Sequence, residues 1–525
     1  MAKPTAYLRL LKAVFTLARE GVFSVPSRTD VPKDVAVLLW IADRIARPES
    51  EVLDRGERLN AALDKLGPSY IKLGQFLATR PDIVGNDIAK GLGALRDDVP
   101  AFGSEAAREI IRNNLNRDVE KLYSSFSEPV AAASIAQVHK ATITTPDGER
   151  EMAVKVLRPN VRARFQRDLE SFYAVAHLAE RFIPSTLRLR PVAVVDTLAR
   201  SVVMEMDLRL EAAALSEMAD QSADDPLFSV PKIDWSRTGR DVLTIDWVDG
   251  LKLTEIEALD AAGLDRKKLA TDLIQVFLRH ALEHGFFHAD MHQGNLFVHP
   301  DGTIIAIDFG IMGRIGPKER QFLAEILYGF VKRDYLRVAQ VHFEAGYVPA
   351  HHSIEDFAQA LRAVGEPIHG QSADDISMAS LLGLLFEITE LFDMETRTEL
   401  IMLQKTMVVV EGVSRSLDDG FDMWQAAEPV LREWLTAHLG PGAKLEQAVK
   451  GVSSIGRLMQ ELPELAERAS RMSRELDGAI ESGFRLDKES IALLARKQAE
   501  QNRYARYAVT TLAVLGSLLA LDHLF

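Results

Sequence analysis

Cysteine is missing from all 525 residues, which excludes disulfides, thiolate metal sites and thiol nucleophiles and is compatible with a reducing compartment. Basic residues are in the minority, 62 against 76 acidic ones, and the formal charge of −14 argues against a general nucleic-acid coat. Long uncharged apolar runs are also scarce, with one exception at the C-terminus, and no internal repeat or low-complexity tract is present. What remains is globular composition, 47% hydrophobic and 26% charged. At ~100–200 residues per unit the chain is long enough for two to four units.

The C-terminal exception, Tyr507 to Leu521, carries no charge and follows Lys497, Arg503 and Arg506. At ~1.5 Å per residue it reaches about 22 Å of a ~30 Å hydrocarbon core, so full spanning needs snorkelling flanks or a thinned bilayer. It reads as a membrane anchor, with a buried terminal helix as the alternative. If it spans, the basic flank leaves the bulk of the protein on the cytoplasmic face. At the other end Leu8, Leu11, Phe15, Ala18 and Val22 recur at helical spacing, with Lys3, Arg9, Lys12 and Arg19 interleaved. Such a helix lies in a membrane interface or packs its stripe on the protein, and a secretory signal is not expected. Residues 441–506 read as helical, polar and juxtamembrane, with no assignable chemistry.

In the middle of the chain, Gln137 to Ile143 and Met152 to Leu157 read as two strands joined by the turn Pro146-Asp147-Gly148. Lys155 stands in an Ala-Val-Lys context on the second strand, as the phosphate-pairing lysine of a kinase-like small lobe does. Glu211, on a helix predicted over Val202 to Met218, can orient it. Farther on, an apolar helix (Leu273 to Leu282) leads into His288-Ala289-Asp290, then Asn295, strand Leu296 to Val298, the turn Asp301-Gly302, and strand Thr303 to Ile307 ending in Asp308-Phe309-Gly310. Phosphoryl transfer needs a carboxylate that orients the acceptor, here Asp290, and oxygen ligands for magnesium, here Asn295 and Asp308. His280, His284, His288 and His292 recur at intervals of four and offer a competing zinc reading. Gly285 interrupts their helix, and the glutamate of a His-Glu-x-x-His motif is missing.

Two features depart from a protein kinase. Where a Gly-x-Gly-x-x-Gly loop belongs, the chain has Ala131-Ala132-Ala133-Ser134-Ile135-Ala136-Gln137, and each Cβ blocks the closest approach to phosphate. An extra helix precedes the small lobe, running from Gly67 through Lys72-Leu73-Gly74-Gln75 and stopping near Pro81, with Lys72 and Gln75 on one face. Leu243 to Val248, before Asp249-Gly250, reads as the strand leading to an interlobe hinge.

Taken together, these residues resemble the UbiB family of atypical kinases over about residues 60 to 440: Lys-x-Gly-Gln at 72 to 75, the alanine-rich loop, Ala-Val-Lys at 153 to 155, Glu205-Met206-Asp207, Glu211, His-Ala-Asp at 288 to 290, Asn295 and Asp308-Phe309-Gly310. The resemblance implies an α+β, two-lobed protein kinase-like fold with an N-terminal helical extension and a C-terminal membrane helix. The expected layout is an amphipathic region over 1–60, the helical extension over 61–110, a small lobe over 111–250, a large lobe over 251–440, a juxtamembrane region over 441–506 and an anchor over 507–525. It further implies ATP and Mg2+ as cofactors, with Ala131, Ala132, Ala133, Ser134, Val138 and Lys155 at the nucleotide, Asn295 and Asp308 on the metal, and Asp290, Lys155 and Glu211 in catalysis. Lys155 pairs with a helix carboxylate, Glu211 first among Glu205, Asp207 and Glu211. The Lys72 helix, with Gln75, folds over the site, Lys72 lying near Glu205 and Asp207, so that protein substrates are excluded.

The implied function is a membrane-associated kinase or ATPase that supports ubiquinone biosynthesis, on the cytoplasmic side of a bacterial inner membrane. Its partners would be a lipid or quinone precursor, the membrane and ubiquinone biosynthetic enzymes, with no nucleic acid. The alternative is a catalytically weak pseudokinase, a scaffold or lipid-binding chaperone for those enzymes. An aminoglycoside- or choline-type phosphotransferase shares the His-x-Asp and Asn pattern but leaves Lys72 to Gln75 and the anchor unexplained.

Overall fold

The computed structural model describes residues 4–24, 40–47, 54–78, 80–93, 95, 99–182, 190–370, 388–389, 391–394 and 398–439. Strands β1 (Ser125–Ala132), β2 (Ala136–Thr145), β3 (Gly148–Leu157) and β5 (Val242–Asp246) form an antiparallel sheet in the order β1-β2-β3-β5. The β2–β3 hairpin closes where Thr145 faces Gly148, whose φ of +125° suits a residue without a Cβ. Along β3, Met152, Val154 and Val156 are buried while Ala153 and Lys155 on the opposite face are half-buried. This alternation packs one face of the sheet on the Ser104–Leu115 helix through Ala107 and Ile111 and leaves the other toward the cleft.

A second, helical layer flanks this sheet. The helix Arg55–Leu66 opens with a reciprocal capping box between Asp54 and Glu57 and ends at Gly67, φ +94°. The next helix, Pro68–Ala78, carries Lys72, and its Tyr70 and Ile71 share the main core with Ile135 and Phe172. The N-terminal helix Pro4–Arg19 buries Leu10, Ala13 and Ala18, and Arg9 reaches Glu170 of the Val161–Phe182 helix at 3.1 Å. The amphipathic stripe expected from the sequence therefore packs in part on the protein, Ala18 being buried and Leu11 and Phe15 half-buried.

The large lobe is built around the helix Arg266–Arg279, whose Leu273, Ile274, Val276, Phe277 and Leu278 are all buried, the pattern of a helix enclosed by its neighbours. Asp265 caps it through the Lys267 and Lys268 amides. A π-helical turn, His280–His284, ends it at Gly285, φ +67°. Short strands then place the loops: β7 (Phe286–His288) pairs with β10 (Met312–Arg314), while β4 (Phe228–Ser229), β9 (Ile304–Ala306), β8 (Leu296–Val298) and β6 (Leu251–Lys252) form a sheet in that order. The helix Thr398–Leu417 covers the Arg266–Arg279 helix, Ser414 donating to the Ala270 carbonyl at 3.0 Å.

One element differs from expectation. Val202 to Met218 is not one helix but two, Pro191–Glu205 and Leu208–Gln221. Asp207 turns to φ −120° and accepts from the Arg209 amide as an N-cap, while the Leu208 amide donates to the Arg240 carbonyl at 3.0 Å. Glu205 and Glu211 thus belong to different helices and have different partners. The predicted juxtamembrane region and the anchor at Tyr507 to Leu521 lie outside the described residues. Among the described residues no helix is long and apolar enough to cross a membrane.

Candidate active site

Lys155 projects from β3 into the cleft, opposite Val138 on β2. Its Nζ donates to both oxygens of Glu211, at 2.8 and 3.0 Å, and to Oδ2 of Asp308 at 3.1 Å. Of the three carboxylates weighed for Lys155, Glu211 is the one the fold delivers, from the first turn of its helix, where it is 7% exposed. Burial raises the Glu211 carboxyl to about 7, against the opposing pull of the Lys155 ammonium. Burial also acts to raise Asp308, but the Lys155 charge and the Gly310 amide overturn this and hold it well below the usual carboxylate range. For Lys155 itself, burial is outweighed by Asp308 and Glu211, which keep it charged far into alkaline pH.

Glu205 takes the other lysine. It forms a tight ion pair with Lys72, and the two side chains are 18% and 10% exposed. Removing one partner of a pair this buried costs about 3–5 kcal/mol, so the contact holds the Pro68–Ala78 helix to the end of the Pro191–Glu205 helix. Asp207, expected beside Lys72, is instead engaged by Arg209 at 2.7 Å and Arg240 at 3.9 Å because it serves as the helix cap. Gln75 is half-buried and makes no side-chain hydrogen bond among the described residues.

The two loops of the large lobe meet across short strands. Asp290 lies just past β7, Asn295 just before β8 and Asp308 just past β9. His288 is buried, accepts from the Asp290 amide at 3.0 Å and stands edge-on to Phe309 at 5.1 Å, so one imidazole ties both loops together. Asn295 donates its Nδ2 to the Asp290 carbonyl at 3.1 Å, which reserves its Oδ1 as the amide's acceptor. That oxygen and the ionised Asp308 are donors of the kind a hard divalent cation takes. The four histidines of the zinc reading do not converge: His280 is buried against Phe228, His284 is exposed, His288 serves the loop, and His292 stands 3.7 Å from Asp290.

The alanine-rich loop is fixed from outside. The Ala133 amide donates to the Ala136 carbonyl at 2.8 Å, and Arg158 donates to the carbonyls of Ala133, Pro100 and Val99 at 2.8 to 2.9 Å. Ala131 is exposed, Ala132 and Ala133 are half-buried, and Ser134 is fully buried with an Oγ that has no hydrogen-bond partner.

One residue near Asp290 escapes a motif reading. Lys405, on the Thr398–Leu417 helix, places its Nζ 4.0 Å from Oδ1 of Asp290. The same helix is fastened to the loop where Gln293 donates to Ser416 Oγ at 2.7 Å. Its signal in the sequence is a lone charge, between Gln404 and Thr406, in the mostly apolar run Met402 to Val410.

Comparison with known proteins places the chain in a family. Residues 94–342 match the model of the ABC1 atypical kinase-like domain and residues 361–422 that of the UbiB helical domain. The fold and the paired loops thus define an atypical kinase-like domain joined to a helical domain. A protein of Marinobacter nauticus named "Probable protein kinase UbiB" is 35% identical over 520 residues, covering 98% of this chain and 94% of its own. Like-named proteins of Cellvibrio japonicus and Aeromonas hydrophila are 34% and 36% identical, spanning 98% and 90% of this chain and 92% and 87% of theirs. The chain belongs to the UbiB family, as its motifs led one to expect.

Proposed function

We propose that the chain is a membrane-associated kinase or ATPase that binds Mg-ATP, supports ubiquinone biosynthesis and acts on or with lipid intermediates, not proteins. The observation that carries this reading is the bridge from Lys155 to both Glu211 and Asp308, because phosphoryl transfer depends on a lysine oriented by a helix carboxylate and on a metal-binding aspartate. Asp308 and Asn295 would hold the magnesium, which supplies charge neutralisation on the phosphates. Asp290 would orient the acceptor hydroxyl or water. Val138, across from Lys155, and Ala131 to Ala133 would line the nucleotide, whereas Ser134, expected there too, is fully buried. The Lys72–Glu205 pair supports exclusion of protein acceptors, since it fastens an added helix to the helices beside the cleft. The catalytic face would lie on the cytoplasmic side of the inner membrane, held by the Tyr507–Leu521 anchor among ubiquinone biosynthetic enzymes.

Purified full-length protein with magnesium and γ-labelled ATP, in liposomes containing membrane lipid extract, tests this beside Asp290→Asn. Free phosphate or labelled lipid that depends on Asp290 is expected. Nucleotide binding with no turnover would favour the scaffold alternative, and absence of magnesium-dependent binding would overturn the reading.

A further inference from the structure

Away from the kinase-like cleft, three side chains converge that take no part in it. His351 and His352 sit on the loop before the Ile354–Gly370 helix, and Asp393 follows Phe392 farther along the chain. The Nε2 atoms of His351 and His352 stand 3.7 and 3.4 Å from the same Asp393 oxygen, Oδ2. All three candidate donor atoms lie within 4.8 Å of one another, and no other three His, Asp or Glu side chains among the described residues meet so closely. The two separations are too long for a charge-assisted hydrogen bond, which closes to ~2.7–2.9 Å. They are near the ~3.3–3.5 Å edge of a tetrahedron whose metal–ligand bonds are ~2.0–2.1 Å.

Two further observations point the same way. The Nε2 of His352 is buried and has no hydrogen-bond partner, a state that a buried polar atom rarely keeps without a ligand. One of the donors is also held from behind. His352 packs on Phe392 at 5.2 Å and Phe392 on Phe357 at 4.9 Å, within a buried cluster that includes Tyr335, Val338 and Leu361. His351 and Asp393 are exposed, which gives a cation a way in.

We propose that His351, His352 and Asp393 form a binding site for a first-row divalent transition metal, zinc above all, with one coordination position left for water or a fourth ligand. Two imidazoles and one carboxylate select zinc over magnesium, which takes oxygen donors. The cation would clamp the loop that follows the ABC1-matched residues to a segment inside the UbiB helical match at 361–422, independently of nucleotide.

Full-length protein stripped with a chelator, then titrated with zinc chloride against a chromophoric competitor in excess magnesium, tests this. One equivalent is expected, weakened at least ~10–100-fold by His352→Ala and by Asp393→Asn, since even an outer-sphere partner of a metal is worth that much. The isosteric Asp393→Asn reads the site even if the alanine variant fails to fold. X-ray absorption at the zinc edge should show imidazole scattering in the wild type. No uptake, uptake unchanged in both variants, or a shell of oxygen alone overturns the proposal.

Discussion

Glu211→Gln is the sharpest test of the cleft, because the amide keeps the shape of the carboxylate while removing its charge. Lys155 then faces one anion, Asp308, at 3.1 Å. The pair is neutral, and Lys155 must leave it to reach a phosphate. A hydrogen bond to a charged group contributes about 1.5–3 kcal/mol, so magnesium-dependent ATP affinity should fall about 10–150-fold. The raised carboxyl gives a second readout. Protonation of Glu211 near pH 7 in the folded protein is chemically close to the glutamine variant, so wild-type nucleotide affinity should drop as pH falls through about 7. The variant should lack that limb. Stability runs the other way: with its folded pKa raised, Glu211 binds its proton more tightly in the native state. Its contribution is full below the ordinary carboxylate range and is lost as pH rises through about 7. Fluorescent-nucleotide titrations from pH 5.5 to 8.5, with urea unfolding at the same values, measure both. Wild-type affinity and an unchanged acid limb in the variant would refute the pairing of Lys155 with Glu211 as the functional contact.

Asp308→Asn should abolish the magnesium dependence of nucleotide binding, read by titration with and without EDTA, because it removes the ionised oxygen while sparing the Gly310 turn. Lys405→Met should lower turnover about 10–100-fold and leave nucleotide affinity within about threefold, since a cation near Asp290 acts where charge develops on the transferred phosphoryl group; equal losses in both would place it in binding instead. Ala133→Gly should change nucleotide affinity by freeing a loop that Arg158 holds, and identical affinities would make the alanines incidental.

The parts of this architecture that were legible in the sequence are those written locally. The Ala-Val-Lys context on a predicted strand marks Lys155, which the burial alternation of β3 sets on the cleft face, and the short spacing from His288 to Asn295 to Asp308 reflects loops joined by the tight β8–β9 hairpin. The break at Met206 is weakly marked, because no glycine or proline stands there and its only signal is Asp207, a poor helix former and a favoured N-cap. It arises from the Arg240 carbonyl claiming the Leu208 amide and from Asp207 capping the Leu208–Gln221 helix. The i, i+4 repeat of histidines at 280 to 292 offers a zinc reading that Gly285 already argues against in the sequence, and the left-handed turn there undoes the repeat. The histidines that do converge, His351 and His352, are adjacent in sequence and need Asp393 from a distant segment.

That break has a consequence for how the cleft is closed. A continuous helix would have put Glu205 and Glu211 more than a turn apart on one rigid rod, with Lys72 and Lys155 competing for neighbouring faces. Divided at Asp207, the chain presents Glu205 at the end of one helix and Glu211 in the first turn of the next. The added helix and the phosphate lysine are then fixed by separate carboxylates a few residues apart. Movement of the Lys72 helix would therefore be felt at Glu211 through a single capped turn. Burial couples them electrostatically as well, since the Glu205 charge is among those that raise Glu211. Neutralising Glu205 should accordingly lower the pH at which Glu211 gains its proton, so Glu205→Gln should shift the acid limb of nucleotide binding toward lower pH, an outcome that a purely mechanical role for the Lys72–Glu205 pair does not produce.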